Sequence, residues 1–285
     1  MSTSPFAIPM DITRENFLKF RDFFYARTGI HFDEKKRYFV DKRLSDRIKV
    51  TGASSFNNYF AMLRLDEGSE LQVLVNLMTT NETYFFREEY QFKSLVNAIL
   101  PEVVKKKKKG DLIRIWSIPS SSGEEPYSLA IYLLERWAEV DEYNIELLAS
   151  DIDTRVLKLA EKGIYQKRSL QYLPPELVEK YFTQLNATDF QIAQTIRDSV
   201  AFTRVNVTDA AQTRSYRDFD IIFCRNLLIY FDDMSRREAA DTFYDALVPG
   251  GFICLGHSES MSRISPLFTA RKFPDSIVYQ KLTSS

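Results

Sequence analysis

"RIWSIPSSSGEEPYSLAIYLLE", residues 114–135, runs from a short apolar strand into an amphipathic helix across a turn of small polar residues. The turn holds one glycine, Gly123, followed at once by Glu124 and Glu125. Strand, tight turn and helix make the usual cradle for a nucleotide-like ligand, because a helix start offers free backbone amides. A phosphate cradle, however, uses several glycines and carries no carboxylate at the helix start. Two acids there would repel a phosphate and suit a ligand with a cationic centre.

Outward from this stretch the same alternation recurs. After Gly110, "LIRIWSI", "IELLASD", "FDIIFC" and "GGFICLG" read as short apolar strands, separated by helical stretches at 123–137, 154–162 and 234–247. Strands alternating with helices imply a mostly parallel sheet with right-handed crossovers. Residues 178–205 break the rhythm and read as three short alternating strands, a small antiparallel insertion. Residues 11–78 read as helices only, with Thr13 and Asp33 as N-caps and Gly29 and Gly52 as stops. A further helix is expected over 88–109, ending in "KKKKKG". The run Lys105–Lys109 is either a solvated helix end, where the dipole favours cations, or an acidic docking site. The expected organisation is therefore a helical domain over 1–78 and an α/β domain over 79–285, with the insertion at about 178–205.

Bulk properties narrow the classes. The 285 residues are 45% hydrophobic and 27% charged, the balance of an ordinary globular protein, and the net charge of -1 argues against a general nucleic-acid binder. Cys224 and Cys254 are too few for a disulfide framework and read as buried, reduced thiols. The N-terminus lacks the pattern of a signal peptide, and no apolar run approaches the roughly 20 residues that span a membrane. A cytoplasmic protein without membrane insertion is expected.

In doubly wound folds the ligand lies across the carboxyl ends of the strands. Four such ends carry polar residues: the turn at 117–124, Asp151 in "LLASD", Asn206 in "FTRVNVTD", and Arg225 with Asn226 in "FDIIFCRNLLIYF". Asp151 is placed either to take hydrogen bonds from ribose hydroxyls or to cap the next helix. S-adenosylmethionine has both a cationic centre and a ribose, and "LVPGGFICLG" makes the tight turn into a late strand typical of methyltransferases using it.

"TTNETYFFRE", "SGEEPYSLA", "ASDID", "FCRNLLIYFD" and "GGFICLGHSES" together resemble, in order, the motifs of the CheR-type chemotaxis receptor methyltransferases, which esterify protein glutamates. The match runs from about residue 14 to the C-terminus. The resemblance implies a class I S-adenosylmethionine-dependent, Rossmann-like sheet with an antiparallel subdomain and an N-terminal all-α domain. It implies that Asn81, Thr83 and Arg87 line the methionine end of the cofactor, with Glu124 near its amino-acid or sulfonium side. Asp151 would hold the ribose, and Asn206, Val207, Arg225 and Asn226 would border the adenine. Arg87 and Tyr230 would sit beside the reacting carboxylate; from the residues alone, Arg87 could instead pair with Glu88 or Glu89, and Tyr230 could be a core aromatic. The chain departs from the family at Ile118, Pro119 and Ser120, where small residues are usual. Proline removes an amide and fixes φ, which bears on how the cofactor sits.

A glutamate nucleophile is already ionised at neutral pH, so the reaction requires no general base, and His257 in "GHSES" reads as structural. No metal is expected, and S-adenosylhomocysteine would be the product. The partners implied are the cytoplasmic helical regions of chemoreceptors, docked by Lys36, Arg43 and Arg47 on one face of a helix over 34–50. The turn "QLNATDFQ", 184–191, lacks the glycine of members that bind a receptor C-terminal pentapeptide, so independence of that peptide is expected, in a monomer. The alternative is a docking module that keeps the cofactor site with weak or no transfer. Nucleic-acid methylation lacks both the Asn/Asp-Pro-Pro-aromatic motif and a basic charge.

Overall fold

A computed structural model of the chain describes residues 12–66 and 68–282. The described residues form two compact units, divided between Thr79 and Thr80. The first unit is helical throughout: α1 (Arg14–Thr28), α2 (Arg37–Thr51), α3 (Phe56–Leu65) and α4 (Ser69–Met78). Thr13 and Ser55 accept amides at the starts of α1 and α3, as short hydroxyl side chains do at N-caps. Asp33 caps a 3-10 turn, Glu34–Lys36, that leads into α2. Phe17, Phe20, Phe24, Val40, Leu44 and Ile48 are all fully buried, the spacing of one apolar face on each of two helices.

The second unit opens with α5 (Glu89–Ser94), a π-helical turn (Leu95–Ile99) and α6 (Leu100–Val104). There follow β1 (Leu112–Ser117), α7 (Glu124–Arg136), β2 (Asn144–Asp151), α8 (Thr154–Lys162), β3 (Ile164–Gln166), α9 (Pro175–Tyr181), β4 (Phe182–Gln184), β5 (Asp189–Ile192), α10 (Gln194–Asp198) and β6 (Val200–Arg204). The remaining elements are α11 (Ala210–Thr213), β7 (Phe219–Cys224), α12 (Asp233–Ala246), β8 (Leu247–Leu255), β9 (Phe268–Lys272) and β10 (Ile277–Lys281). A seven-stranded sheet has the order β6-β2-β1-β7-β8-β10-β9. Its first five strands are parallel, and β10 is antiparallel to both neighbours. Every residue of β7 is buried, which is why "FDIIFC" is an uninterrupted apolar run around one acid. Trp116, fully buried, lies 4.8 Å from Tyr216 and 5.3 Å from Phe219 between ring centroids and donates its indole N–H to Ser150.

Three expectations are corrected. The small sheet is β3-β5-β4, so it starts earlier than 178, and β6 leaves it to pair parallel with β2. As an edge strand β6 has one half-exposed face, so its pattern imitates an antiparallel strand; β3 has three residues, too few for any period to show. Residues 178–181 belong to α9 rather than to a strand. The helix expected to 109 ends at Val104, and the lysines beyond it have separate uses: Lys107 pairs with the buried Asp220 at 2.9 Å and Lys109 with Glu142 at 2.9 Å. Among the described residues no helix is long and apolar enough to cross a membrane.

Candidate active site

The strand order reverses between β1 and β7, because the chain leaves β1 through β2 to β6 and returns on the other side. In such sheets the ligand crevice opens at that point, beyond the carboxyl ends of the two strands. The turn 118–123 follows β1, and Arg225 with Asn226 follows β7. The sheet thus brings the opening motif and a second sequence motif to one place.

The turn is built by backbone conformations that few residues tolerate. Ser121 has φ 48° and Gly123 φ 96°. At Gly123 a Cβ would meet the Ala160 Cβ and the Tyr165 hydroxyl, each at 2.9 Å, so both the conformation and the space require glycine. Asp151, at the end of β2, accepts the Ser121 amide at 2.8 Å and the Asp153 amide at 2.9 Å. Its carboxylate therefore closes the turn, while Asp153 is the residue that caps α8. Burial pushes the Asp151 carboxyl up to about 6, against the two amides that favour its charged form.

Glu124 and Glu125 part company. Glu124 is buried and accepts the Ser122 hydroxyl at 2.7 Å and the Ser169 hydroxyl at 2.8 Å. It borders a cleft of 410 Å³ with Asn81, Thr83, Tyr84, Ser122, Tyr165 and Ser169 among its walls. Burial holds its carboxyl above the ordinary range, with the two hydroxyls opposing. Glu125 points away, taking the Ser117 hydroxyl at 2.8 Å and an Arg225 N–H at 3.0 Å. Of the two acids expected beside a cationic ligand, only Glu124 borders the cleft; one residue along a helix turns the side chain about 100°.

Asn81 donates to Asp153 at 2.9 Å, which ties the loop 80–88 to the end of β2. Arg87 donates to the Glu82 carbonyl at 2.7 Å and lies 5.7 Å from the Tyr84 ring centre. Its neighbours Glu88 and Glu89 bond elsewhere, to Arg225 and Lys93. Tyr230 is half-buried in a 3-10 turn, Leu228–Tyr230. Burial raises its phenol, while a hydrogen bond with Thr80 and the nearby Arg87 charge oppose that rise. The Arg87 charge therefore reaches the Tyr230 phenol, 143 positions further along the chain.

The other expected cofactor residues are nearby in sequence motif but absent from the walls of that cleft. Asn206 uses its carbonyl on the Thr208 amide and hydroxyl, and the buried Val207 offers its backbone carbonyl to Thr242. Asn226, with φ 58°, donates its amide to Glu259 at 2.8 Å. Arg225 is 4% exposed and paired with Glu88 and Glu125, so it is a buried strut rather than an open wall for an adenine. The sequence reading missed Ser169, Glu259 and the Glu88–His257 contact at 2.8 Å; "GHSES" signalled only that His257 mattered to structure. In the helical unit, Arg47 forms a two-pronged bond to Glu70 at 2.9 and 2.7 Å, and Tyr59 donates to the same carboxylate at 2.6 Å. Arg43 lies 3.4 Å over the Phe39 ring and donates to the Leu77 and Phe39 carbonyls, whereas Lys36 is exposed.

These residues fit an S-adenosyl cofactor by their donor set: one buried carboxylate on the cleft wall with amide and hydroxyl groups beside it. The Ser120 hydroxyl of the same turn is buried with no hydrogen-bond partner among the described residues. The five parallel strands, the closing antiparallel pair and the crevice at the β1/β7 switch define a class I S-adenosylmethionine-dependent methyltransferase. Residues 81–277 match the model of the CheR methyltransferase SAM-binding domain, and residues 15–79 match that of the CheR all-alpha domain. The chain belongs to the CheR methyltransferase family. It is 51% identical to chemotaxis protein methyltransferase 2 of Vibrio cholerae over 271 residues, covering 95% of this chain and 94% of that one. It is 36% identical to the chemotaxis protein methyltransferase of Borreliella burgdorferi, covering 90% of this chain and 92% of that one, and 34% identical to that of Escherichia coli, covering 90% of this chain and 88% of that one.

Proposed function

We propose that this methyltransferase esterifies glutamate side chains on the helical cytoplasmic regions of chemoreceptors, working in the cytoplasm as a monomer. The observation that supports the reading is the buried Glu124 carboxylate on the wall of a cleft that Asn81 and Thr83 also line, with Arg87 carried by the same loop and its charge felt by the Tyr230 phenol, a cation and a hydroxyl suited to one carboxylate. A glutamate has a reference pKa of about 4.3 and is a ready anion at neutral pH. No base is required, and His257 is engaged with Glu88. The cofactor supplies, when bound, a methyl group on a sulfonium. Glu124 with Asn81 and Thr83 would hold its cationic part, and Asp151 the region of its ribose. Arg87 and Tyr230 hold one oxygen of the substrate carboxylate and strip its water, leaving the other free to react in line.

Docking falls to the helical unit. Arg47 is committed to Glu70, so the docking charge lies with Lys36 and Arg43. The hairpin between β4 and β5 closes without any residue at positive φ, through the Asn186 side chain, which accepts the Thr188 and Asp189 amides at 2.9 Å each. This supports recognition without a receptor C-terminal pentapeptide, and a titration giving low-micromolar binding of such a peptide would overturn it. Transfer of labelled methyl from S-adenosylmethionine to receptor glutamates tests the main reading. Turnover should fall at least about a hundredfold in Arg87→Ala, the order expected when a substrate-orienting group is lost. Tyr230→Phe should also lower it, with both proteins still folded. Cofactor binding without transfer would make the chain a docking module instead.

A further inference from the structure

We propose that Ser169 is a positioning residue for Glu124, a hydroxyl brought in by the segment between β3 and α9 that aims the carboxylate into the cleft; this rests on the reading of Glu124 as the group that meets the cofactor's cationic part. Ser169 lies in a 3-10 turn, Lys167–Leu170, and is 9% exposed. Its hydroxyl donates to one Glu124 oxygen at 2.8 Å, and Ser122 donates to the other at 2.7 Å. Each oxygen is therefore held by one hydroxyl, with the Glu124 backbone amide as a further donor to the carboxylate.

The two donors differ in origin. Ser122 belongs to the turn that starts α7, two residues away, and moves with Glu124. Ser169 comes from 45 residues further along the chain. Its backbone carbonyl accepts the Phe85 amide at 3.0 Å, so the same residue is anchored to the loop that carries Asn81, Thr83 and Arg87. One serine thus fixes the carboxylate relative to the other cleft residues. Side chains that bear charge or titrate near Glu124 are Tyr165 from β3, whose hydroxyl donates to the Ser122 carbonyl at 2.8 Å, and Arg168 and Glu82, which line the same cleft. Burial disfavours the Glu124 anion, and the Ser169 donor offsets part of that cost.

Calorimetric titration of the full chain with S-adenosylhomocysteine, between about pH 5 and about pH 8, tests this. A cationic amine needs the ionised carboxylate, so affinity is present above the Glu124 pKa and lost below it. Ser169→Ala should weaken binding about tenfold at neutral pH, the loss of one hydrogen bond to a charged group. It should also move the pH at which affinity fails upward, because a donor to the anion is gone. Ser169→Thr should restore both, and Ser169→Cys, a weak donor of similar size, should fall between. A Ser169→Ala profile with the wild-type midpoint, or a loss that threonine does not rescue, overturns the positioning role. If Glu124→Gln itself binds as the wild type does, the reading of Glu124 fails instead, a separate outcome.

Discussion

Arg225 donates to Glu125 at 3.0 Å, joining residues a hundred positions apart at the ends of β7 and the start of α7. The same guanidinium pairs with Glu88 at 3.1 Å and donates to the Arg87 backbone carbonyl at 2.6 Å. Burial works against the Glu88 anion, yet Arg225 and His257 hold it below the ordinary glutamate range. Phe86 and Glu88 both have positive φ, so this strut fixes a loop that would not hold its shape unaided.

Removing the strut should cost far more than a surface pair. Arg225→Met leaves the half-buried Glu125 without its cation and Glu88 with His257 alone, and stability should fall by about 3–5 kcal/mol. Adding Glu125→Gln should recover part of that loss. Urea denaturation of both variants measures it; additive losses would show that Arg225 and Glu125 act independently.

The Asp151 carboxyl, raised to about 6 in the fold, makes a pH prediction with a definite sign. Between the unfolded value of about 3.9 and about 6, the folded chain binds the extra proton. Its contribution to stability is thus full at acid pH and is lost as pH rises through about 6. Relative to Asp151→Asn, the wild type should lose up to about 3 kcal/mol across this window. A difference between the two proteins that is flat in pH would contradict the raised value.

Arg47 and Lys36 should separate cleanly, although both read as one basic face. Arg47→Glu sets a like charge against Glu70, the carboxylate to which Tyr59 also donates, and should destabilise the helical unit by about 3 kcal/mol or more. Lys36→Glu should leave far-ultraviolet dichroism and melting near wild type while weakening receptor engagement, more so at low salt. Equal melting of the two variants would place Arg47 back on the solvated face.

Gly123→Ala should damage the turn twice over, through a φ of 96° and through Cβ contacts at 2.9 Å with Ala160 and the Tyr165 hydroxyl. A loss of about 1–3 kcal/mol is expected from the backbone conformation. Thermal melting gives the stability, and S-adenosylhomocysteine titration shows whether the cleft suffers with it.

Sequence alone determined the class of this protein. Strand–turn–helix alternation after Gly110 is a local signal, since each element's apolar period is set by which of its own faces is buried, and β1, β2, β7, α8 and α12 were legible for that reason. The motif at 117–126 likewise revealed its glycine and its acids. Tertiary structure decided what those acids do: Glu124 meets the cleft while Glu125 meets Arg225, because the partners lie 45 and 100 positions away. It also decided that β6 joins the large sheet, since pairing with β2 depends on a neighbour no local pattern names. Arg47 shows the same limit. Its helical spacing places it beside Arg43, but only the packing of α2 against α4 supplies Glu70 and turns a solvated cation into a paired, half-buried one.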